Sequence, residues 1–328
     1  MNQPLDLDRM ADAAESGEST RTVLVALAAN AAIAAAKTVA AVLSGSASMV
    51  AEAAHSWADT GNEVFLLIAD RRGRRPADAR HPLGHGREAY VWALLAAVGL
   101  FVTGASVSVW HGFSTLLHGE SHQGDYRLAY IVLAIALVME GSSLLRAVRQ
   151  LRGEARIYHR DLLEHALVTS DPTTRAVFAE DTAAVIGIVI AFFGIGLHQL
   201  TGNARWDAAG SILVGVLLAV VAVLLIDRNR RFLTGEPGSP ELYDAVVARI
   251  LQLPDVAEVR FVRLVFVGPK RLFLVASVDL LGDPVESHVA HTLRRLEREL
   301  ETNPQIVDAV LTIAEPDEGD EMGPGGVQ

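Results

Sequence analysis

Apolar residues along this chain gather into six runs, and a stretch with the shorter rhythms of a soluble domain follows them. The runs lie at about 22 to 44, 46 to 69, 88 to 112, 126 to 148, 176 to 199 and 206 to 227. A bilayer core of about 30 Å needs about 20 helical residues, so each run predicts a membrane-spanning helix. The first begins too far into the chain, and is too long, to read as a signal peptide. After Arg231 the sequence Thr234-Gly-Glu-Pro-Gly-Ser-Pro240 breaks the helix and marks a boundary. Beyond it the pattern predicts an amphipathic helix from about Pro240 to Leu253, a strand from Val256 to Val267 and a turn at Gly268-Pro269-Lys270. In the next strand Leu272, Leu274, Ala276, Val278 and Leu280 alternate with outward partners. A helix near Pro284 to Thr302 and a strand near Gln305 to Ala314 complete an αββαβ unit, one small two-layer α+β domain. The expected organisation is a polar tail over 1–20, a six-helix membrane domain over 21–233, a C-terminal domain over 234–315 and an acidic, Gly-rich tail over 316–328.

Composition agrees with a polytopic α-helical membrane protein. Hydrophobic residues make up 51% of the chain and charged residues 20%, so the charge must be segregated from the spans. Arginines concentrate after the second span (Arg71, Arg72, Arg74, Arg75, Arg80, Arg87), after the fourth (Arg149, Arg152, Arg156, Arg160, Arg175) and after the sixth (Arg228, Arg230, Arg231). The intervening loops offer only Arg127 and Arg205. Positive residues are retained on the cytoplasmic side, which puts both termini there; a bacterial inner membrane is the expected location. The net charge of -11 comes from the acidic tails and the C-terminal region, so it gives no support for nucleic-acid binding. There is no cysteine, which removes disulfides and thiolate metal ligands.

The second span is where chemistry intrudes. Positions i, i+3, i+4 and i+7 share a helix face, so Glu52, His55, Asp59 and Glu63 form one polar stripe with Asn62 beside it. Ionisable groups at membrane depth are expensive and are kept for ion or proton work. His and Asp at i and i+4 can hold a divalent cation together, with interhelical polar contact as the plainer alternative. Metal needs neutral imidazole and ionised carboxylate, so metal and protons compete for the pair, which is the physical basis of an antiporter. A tetrahedral site needs a second helix, and the fifth span offers Asp181 and, next to it, Glu180. Their alternative role is at a helix N-terminus, given Asp171-Pro172 upstream. Glu140 and Lys37 are further intramembrane charges; with Glu52, Asn62 and Glu63 they are candidates for proton relay or structural pairing.

Three histidine groups lie outside the spans. Asp78, His81 and His85 have spacings of three and four in a loop set by Pro82, Gly84 and Gly86, and could bind a second ion or simply solvate. In the C-terminal domain His288 and His291 share a helix face near Asp279, a conceivable cytosolic metal site. His111, His118 and His122 cluster between the third and fourth spans, where a solvated loop is the plainer account.

These segments resemble the cation diffusion facilitator family of metal/proton antiporters. The resemblance is carried by Ser46-Ala-Ser-Met-Val-Ala-Glu-Ala-Ala-His55-Ser-Trp-Ala-Asp59-Thr, by His81-Pro-Leu-Gly-His-Gly-Arg87 and by Trp206-Asp207-Ala-Ala-Gly-Ser211. It implies six transmembrane helices, a cytoplasmic ferredoxin-like domain, a homodimer and alternating access of one intramembrane metal site per protomer. His55 and Asp59 match the second-helix ligand pair, Asp181 the fifth-helix aspartate, and Asp78, His81 and His85 a loop metal site of some members. Where zinc-transporting members place a histidine four residues before that aspartate, this chain has Val177, which is similar to a divergent branch that includes mitochondrial zinc carriers. Ser277 stands where a ligand histidine two residues before Asp279 is expected, so the binuclear cytosolic site is incomplete.

The expected function is therefore export of a divalent transition metal, zinc first, in exchange for protons, with the metal as substrate and no tightly bound cofactor. Manganese, iron or cobalt would also suit an N/O site. A non-transporting metal sensor is the nearer rival. An intramembrane metalloenzyme is the more distant one, since no His-Glu-x-x-His pattern is present.

Overall fold

The computed structural model describes residues 20–118, 125–158, 160–282 and 285–314, so His122 and the expected tails, Thr20 apart, lie outside the described residues. Helix α1 (Thr20–Ser44) and α2 (Ala47–Gly73) form a hairpin around Gly45 at φ +64. The third span is α3 (Glu88–Gly99), a π-helical turn (Leu100–Ala105) and α4 (Ser106–His118) in continuous succession. Then come α5 (Arg127–Ile157), a short α6 (Leu162–Val168), α7 (Pro172–Thr201) and α8 (Arg205–Thr234). Five of the described helical runs are long and apolar enough to cross a membrane, beginning at Leu27, Glu88, Arg127, Pro172 and Arg205. The sixth expected span, α2, has 27 residues and the length to cross but is less apolar, carrying Glu52, His55, Asp59 and Glu63 along it. It survives in the bundle because it is the central helix, packed against α1, α3, α4, α7 and α8.

Polar capping fixes where α2 begins. Ser46 is its N-cap and accepts a hydrogen bond from the Met49 amide. The Asp207 carboxylate at the start of α8, only 2% exposed, accepts from Ser46 Oγ at 2.8 Å, from the Ala47 amide at 2.6 Å and from the Ser48 amide at 3.1 Å. First-turn amides have no partner inside their own helix, and a carboxylate there also meets the positive end of the helix dipole. Ser48 Oγ donates to the Asp207 carbonyl at 2.8 Å in a seat that only glycine leaves open: a Cβ on Gly210 would lie 2.5 Å from that oxygen and one on Gly194 3.0 Å. The far end of α2 is thus locked to α7 and α8.

The C-terminal unit has the expected order. Helix α9 (Pro240–Leu251) precedes β1 (Val256–Gly268) and β2 (Arg271–Leu280), and α10 (Glu286–Leu300) precedes β3 (Ile306–Ile313). β1 pairs antiparallel with β2, and β2 parallel with β3, giving the sheet order β1-β2-β3. Leu242, Val246 and Ile250 of α9 and Leu296 and Leu300 of α10 share one core with Val259, Leu274, Val278 and Leu311 of the sheet. The β1–β2 turn docks against the membrane helices. Gly86 and Gly268 approach so closely that a Cβ on either would lie 2.7 Å or less from the other segment's backbone. Lys270, at φ +55, donates to Glu154 Oε1 of α5 at 3.1 Å, and its amide donates to Ser170 Oγ at 3.0 Å. Phe266 meets Phe232 of α8, which stacks on Tyr90 of α3.

The Asp207 clamp can be tested on stability. Asp207→Ala leaves three buried donors unpaired and is expected to destabilise the protein by about 2 kcal/mol or more, with Asp207→Asn milder, since each unsatisfied buried donor costs roughly 1–3 kcal/mol. Thermal unfolding in detergent checks this; an Ala variant as stable as the parent would contradict the clamp.

Candidate metal site

The polar stripe expected on α2 is present and faces inward. Glu52 and His55 are fully buried and the Asp59 side chain is 16% exposed. His55 Nδ1 and Asp59 Oδ1 stand 3.4 Å apart without hydrogen-bond geometry. Among the described residues the buried polar atoms lacking any hydrogen-bond partner concentrate here: Glu52 Oε1, both ring nitrogens of His55, Ser56 Oγ, Asp59 Oδ1, Asn62 Oδ1, Glu63 Oε2, and Asp181 Oδ2 from α7. Native interiors leave few such groups, so a run of them along one face calls for an explanation, and an ion-binding path supplies one.

The neighbouring helices occupy the rest of the stripe. Lys37 Nζ of α1 donates to Glu52 Oε2 at 2.9 Å, both side chains fully buried. Lys37 therefore pairs with Glu52, while Glu140, half-buried on α5, lies within electrostatic reach of Lys37 and Asp59. Asn30 of α1 donates to Glu63 Oε1, and Asn62 donates to Glu180 Oε1 of α7. These cross-helix partners of Glu52, Glu63 and Asn62 were not readable from spacing along α2 alone. Asp171 caps α7, accepting from the Thr173 and Thr174 amides. Glu180 and Asp181 sit more than two turns beyond that cap, so the helix-start alternative for them does not hold. Glu180 and Asp181 lie within electrostatic reach of Asp59, yet the described side chains do not bring His55, Asp59 and either acid within one ion's coordination radius. Val177 packs with Leu66, Ala93, Ala176 and Leu225, so apolar contact fills the position of the missing histidine.

Asp78, His81 and His85 are the one group of three ligand side chains among the described residues whose donor atoms all lie within 4.8 Å of one another. Asp78 Oδ1 accepts from the Arg80 and His81 amides at 2.8 Å each, and Oδ2 faces His85 Nε2 at 3.0 Å. His85 Nδ1 meets Glu88 Oε1 at 3.3 Å, and the two imidazoles lie 4.0 Å apart between centroids. The hydrogen bond with His85, followed by those from the two amides, holds the Asp78 carboxyl well below the usual carboxylate range; the same bond raises His85 above its ordinary value. Two imidazoles and a carboxylate are an ordinary zinc donor set.

The expected C-terminal group does not assemble. Asp279, His288 and His291 are all exposed and do not converge on one point. The cause is the amphipathic face of α10: Leu293, Leu296 and Leu300 turn to the sheet, which sends His288 and His291 to solvent. Ser277 is buried in β2, between Phe261 and Thr312 on the adjacent strands. His111 and His118 lie on α4, and His118 is exposed.

A helical bundle with a charged central helix and a three-stranded C-terminal unit defines a class of membrane transporters. A model of the cation efflux transmembrane domain matches residues 23–234, and the chain belongs to this family, the cation diffusion facilitators. It is 36% identical over 241 residues to the mitochondrial proton-coupled zinc antiporter SLC30A9 of Homo sapiens, covering 74% of this chain and 42% of that protein. It is 33% identical to metal tolerance protein C4 of Arabidopsis thaliana, covering 76% of this chain and 54% of that one. It is 27% identical to the zinc transporter ZitB of Escherichia coli, over 70% and 67% of the two chains. The chain thus spans about half or less of the length of the first two. The match to the mitochondrial protein agrees with the divergent branch indicated by Val177. The expected bacterial inner membrane does not stand: the relative at 36% identity is a mitochondrial protein. Integral membrane placement is unaffected.

Zinc titrated into the loop is expected to displace the His85 proton. The sign follows from the shifts: Asp78 is already ionised at neutral pH, whereas the raised His85 stays protonated higher than usual, so zinc affinity rises with pH through and above the ordinary imidazole range. Calorimetry in buffers of different ionisation enthalpy reads the released proton. Release undiminished in His85→Ala would contradict the assignment.

Proposed function

We propose that this protein is a secondary transporter that carries a divalent transition-metal ion, zinc first, across the membrane in exchange for protons. The observation that carries the reading is the line of unpartnered donors on the α2 and α7 faces, His55, Asp59 and Asp181 above all. The ion enters from the side of the arginine-rich loops and C-terminal domain. Neutral His55 and ionised Asp59 bind it, and Asp181 closes the site from α7, with Glu180 supplying the donor that Val177 does not. Helix α7 must move toward α2, or rotate, for these groups to share one ion. Protons arriving from the far side then take the imidazole nitrogen and a carboxylate oxygen, which removes the electron pairs that held the metal. With N/O donors and no thiolate, the site favours zinc without excluding manganese, iron or cobalt. Two relatives are zinc transporters by name, which supports zinc here. The loop triad Asp78, His81 and His85 holds a second ion at the entrance. A homodimer in an organellar membrane completes the reading.

Proteoliposomes carrying a pH gradient test this across zinc, manganese, iron, cobalt and cadmium. Metal flux coupled to protons is expected in the parent. Asp59→Ala and Asp181→Ala are each expected to lower it at least about tenfold, since even an outer partner of a metal ligand is worth 10–100-fold. Binding without flux in the parent would instead make the protein a sensor, and undiminished flux in both variants would move the site elsewhere.

A further inference from the structure

The buried Lys37–Glu52 pair occupies a position that the transport site itself does not require. Helix α1 runs toward the far side and ends at Ser44; α2 starts back from Ala47. At 1.5 Å per residue, Glu52 lies about 7 Å inside the far end of α2 and about 10 Å beyond Asp59 in that direction. An ion leaving His55 and Asp59 for the far side along the α2 face would pass it.

Three observations make this level a closure. Lys37 and Glu52 are both 0% exposed and joined at 2.9 Å. Glu52 Oε1, with no hydrogen-bond partner, is lodged against Gly187 of α7, where a Cβ would lie 2.6 Å from it. Gly187 is on the same face of α7 as Glu180, seven residues on, so the carboxylate seals the seam between α2 and α7 along which the donor groups lie. Access along α2 is also one-sided: Ser48, Glu52 and His55 are fully buried, while Asp59, Thr60 and Glu63 are partly open.

We propose that the Lys37–Glu52 ion pair, seated at Gly187, is the far-side gate of the pathway. Opening it separates α1 from α2 and frees Glu52 from the α7 groove; with the pair intact, the site faces the C-terminal domain. Lys37 and Glu52 are positioning residues that bias the two access states. The proposal rests on the transport reading for the path, but its test does not use transport.

The chain has no cysteine, so one introduced thiol reports accessibility cleanly. Ser56→Cys places it one turn from Glu52 on the site side of the closure. A membrane-impermeant maleimide is added from the far side of oriented proteoliposomes. In the otherwise unchanged chain labelling is slow. With Lys37→Met and Glu52→Gln added together, which keep length and remove both charges, it is expected to accelerate about tenfold or more as the far-side-open state gains population. Pairs serving only as helix glue would leave the side preference unchanged, and that result overturns the proposal. If the double variant does not insert, Gly187→Ala, which displaces Glu52 from its seat, must give the same acceleration, and its failure to do so also overturns the gate. Flux measurements on the parent decide separately whether the path is a transport path.

Discussion

A helix carrying Glu52, His55, Asp59 and Glu63 can sit in a bilayer only if its neighbours answer its polar groups, and the rest of the bundle is arranged around that requirement. A charge at the centre of a spanning helix costs roughly 2.5–3.5 kcal/mol on insertion scales. Helix α1 answers with Lys37 and Asn30, α7 with Glu180 and α8 with Asp207 at the helix start. Each is a buried or half-buried contact, and removing one member of a buried ion pair costs roughly 3–5 kcal/mol because the other is stranded. What remains unanswered, chiefly His55 and part of Asp59 and Asp181, is what a cation can use.

The sequence periodicities were enough for the elements and for the stripe. Six apolar runs became six long helical segments, five of them apolar enough to cross a membrane, and alternation in 272 to 280 became the central strand β2 of the C-terminal sheet. The 3.6-residue period placed Glu52, His55 and Asp59 on one face before any neighbour was known. The partners were not legible in the same way. Ser46 and Asp207 are 161 residues apart, and nothing local in α1 says that Lys37 meets Glu52 rather than Glu140. The C-terminal histidines failed for the opposite reason: a shared helix face was read correctly, but it is the face that α10 turns to water.

Val177 connects the departure in sequence to a consequence in structure. A histidine there would add a donor on α7; a valine instead joins the apolar contacts of Leu66, Ala176 and Leu225 at the end of the bundle nearest the C-terminal domain. One turn along α7 stand Glu180 and Asp181, and Asn62 on α2 donates to Glu180. The same end of the bundle carries the contacts of Lys270, Phe266 and Gly268 with α5, α8 and the loop after α2.

The central claim is that His55 and Asp59 hold the transported ion. Zinc K-edge X-ray absorption tests it most directly, using a chain in which Asp78→Ala, His81→Ala and His85→Ala have removed the loop donors. The account predicts a first shell of nitrogen and oxygen only, at about 2.0–2.2 Å, with the scattering of one imidazole that disappears in His55→Ala. A bound zinc whose spectrum shows no imidazole, or keeps it after His55→Ala, would contradict the account.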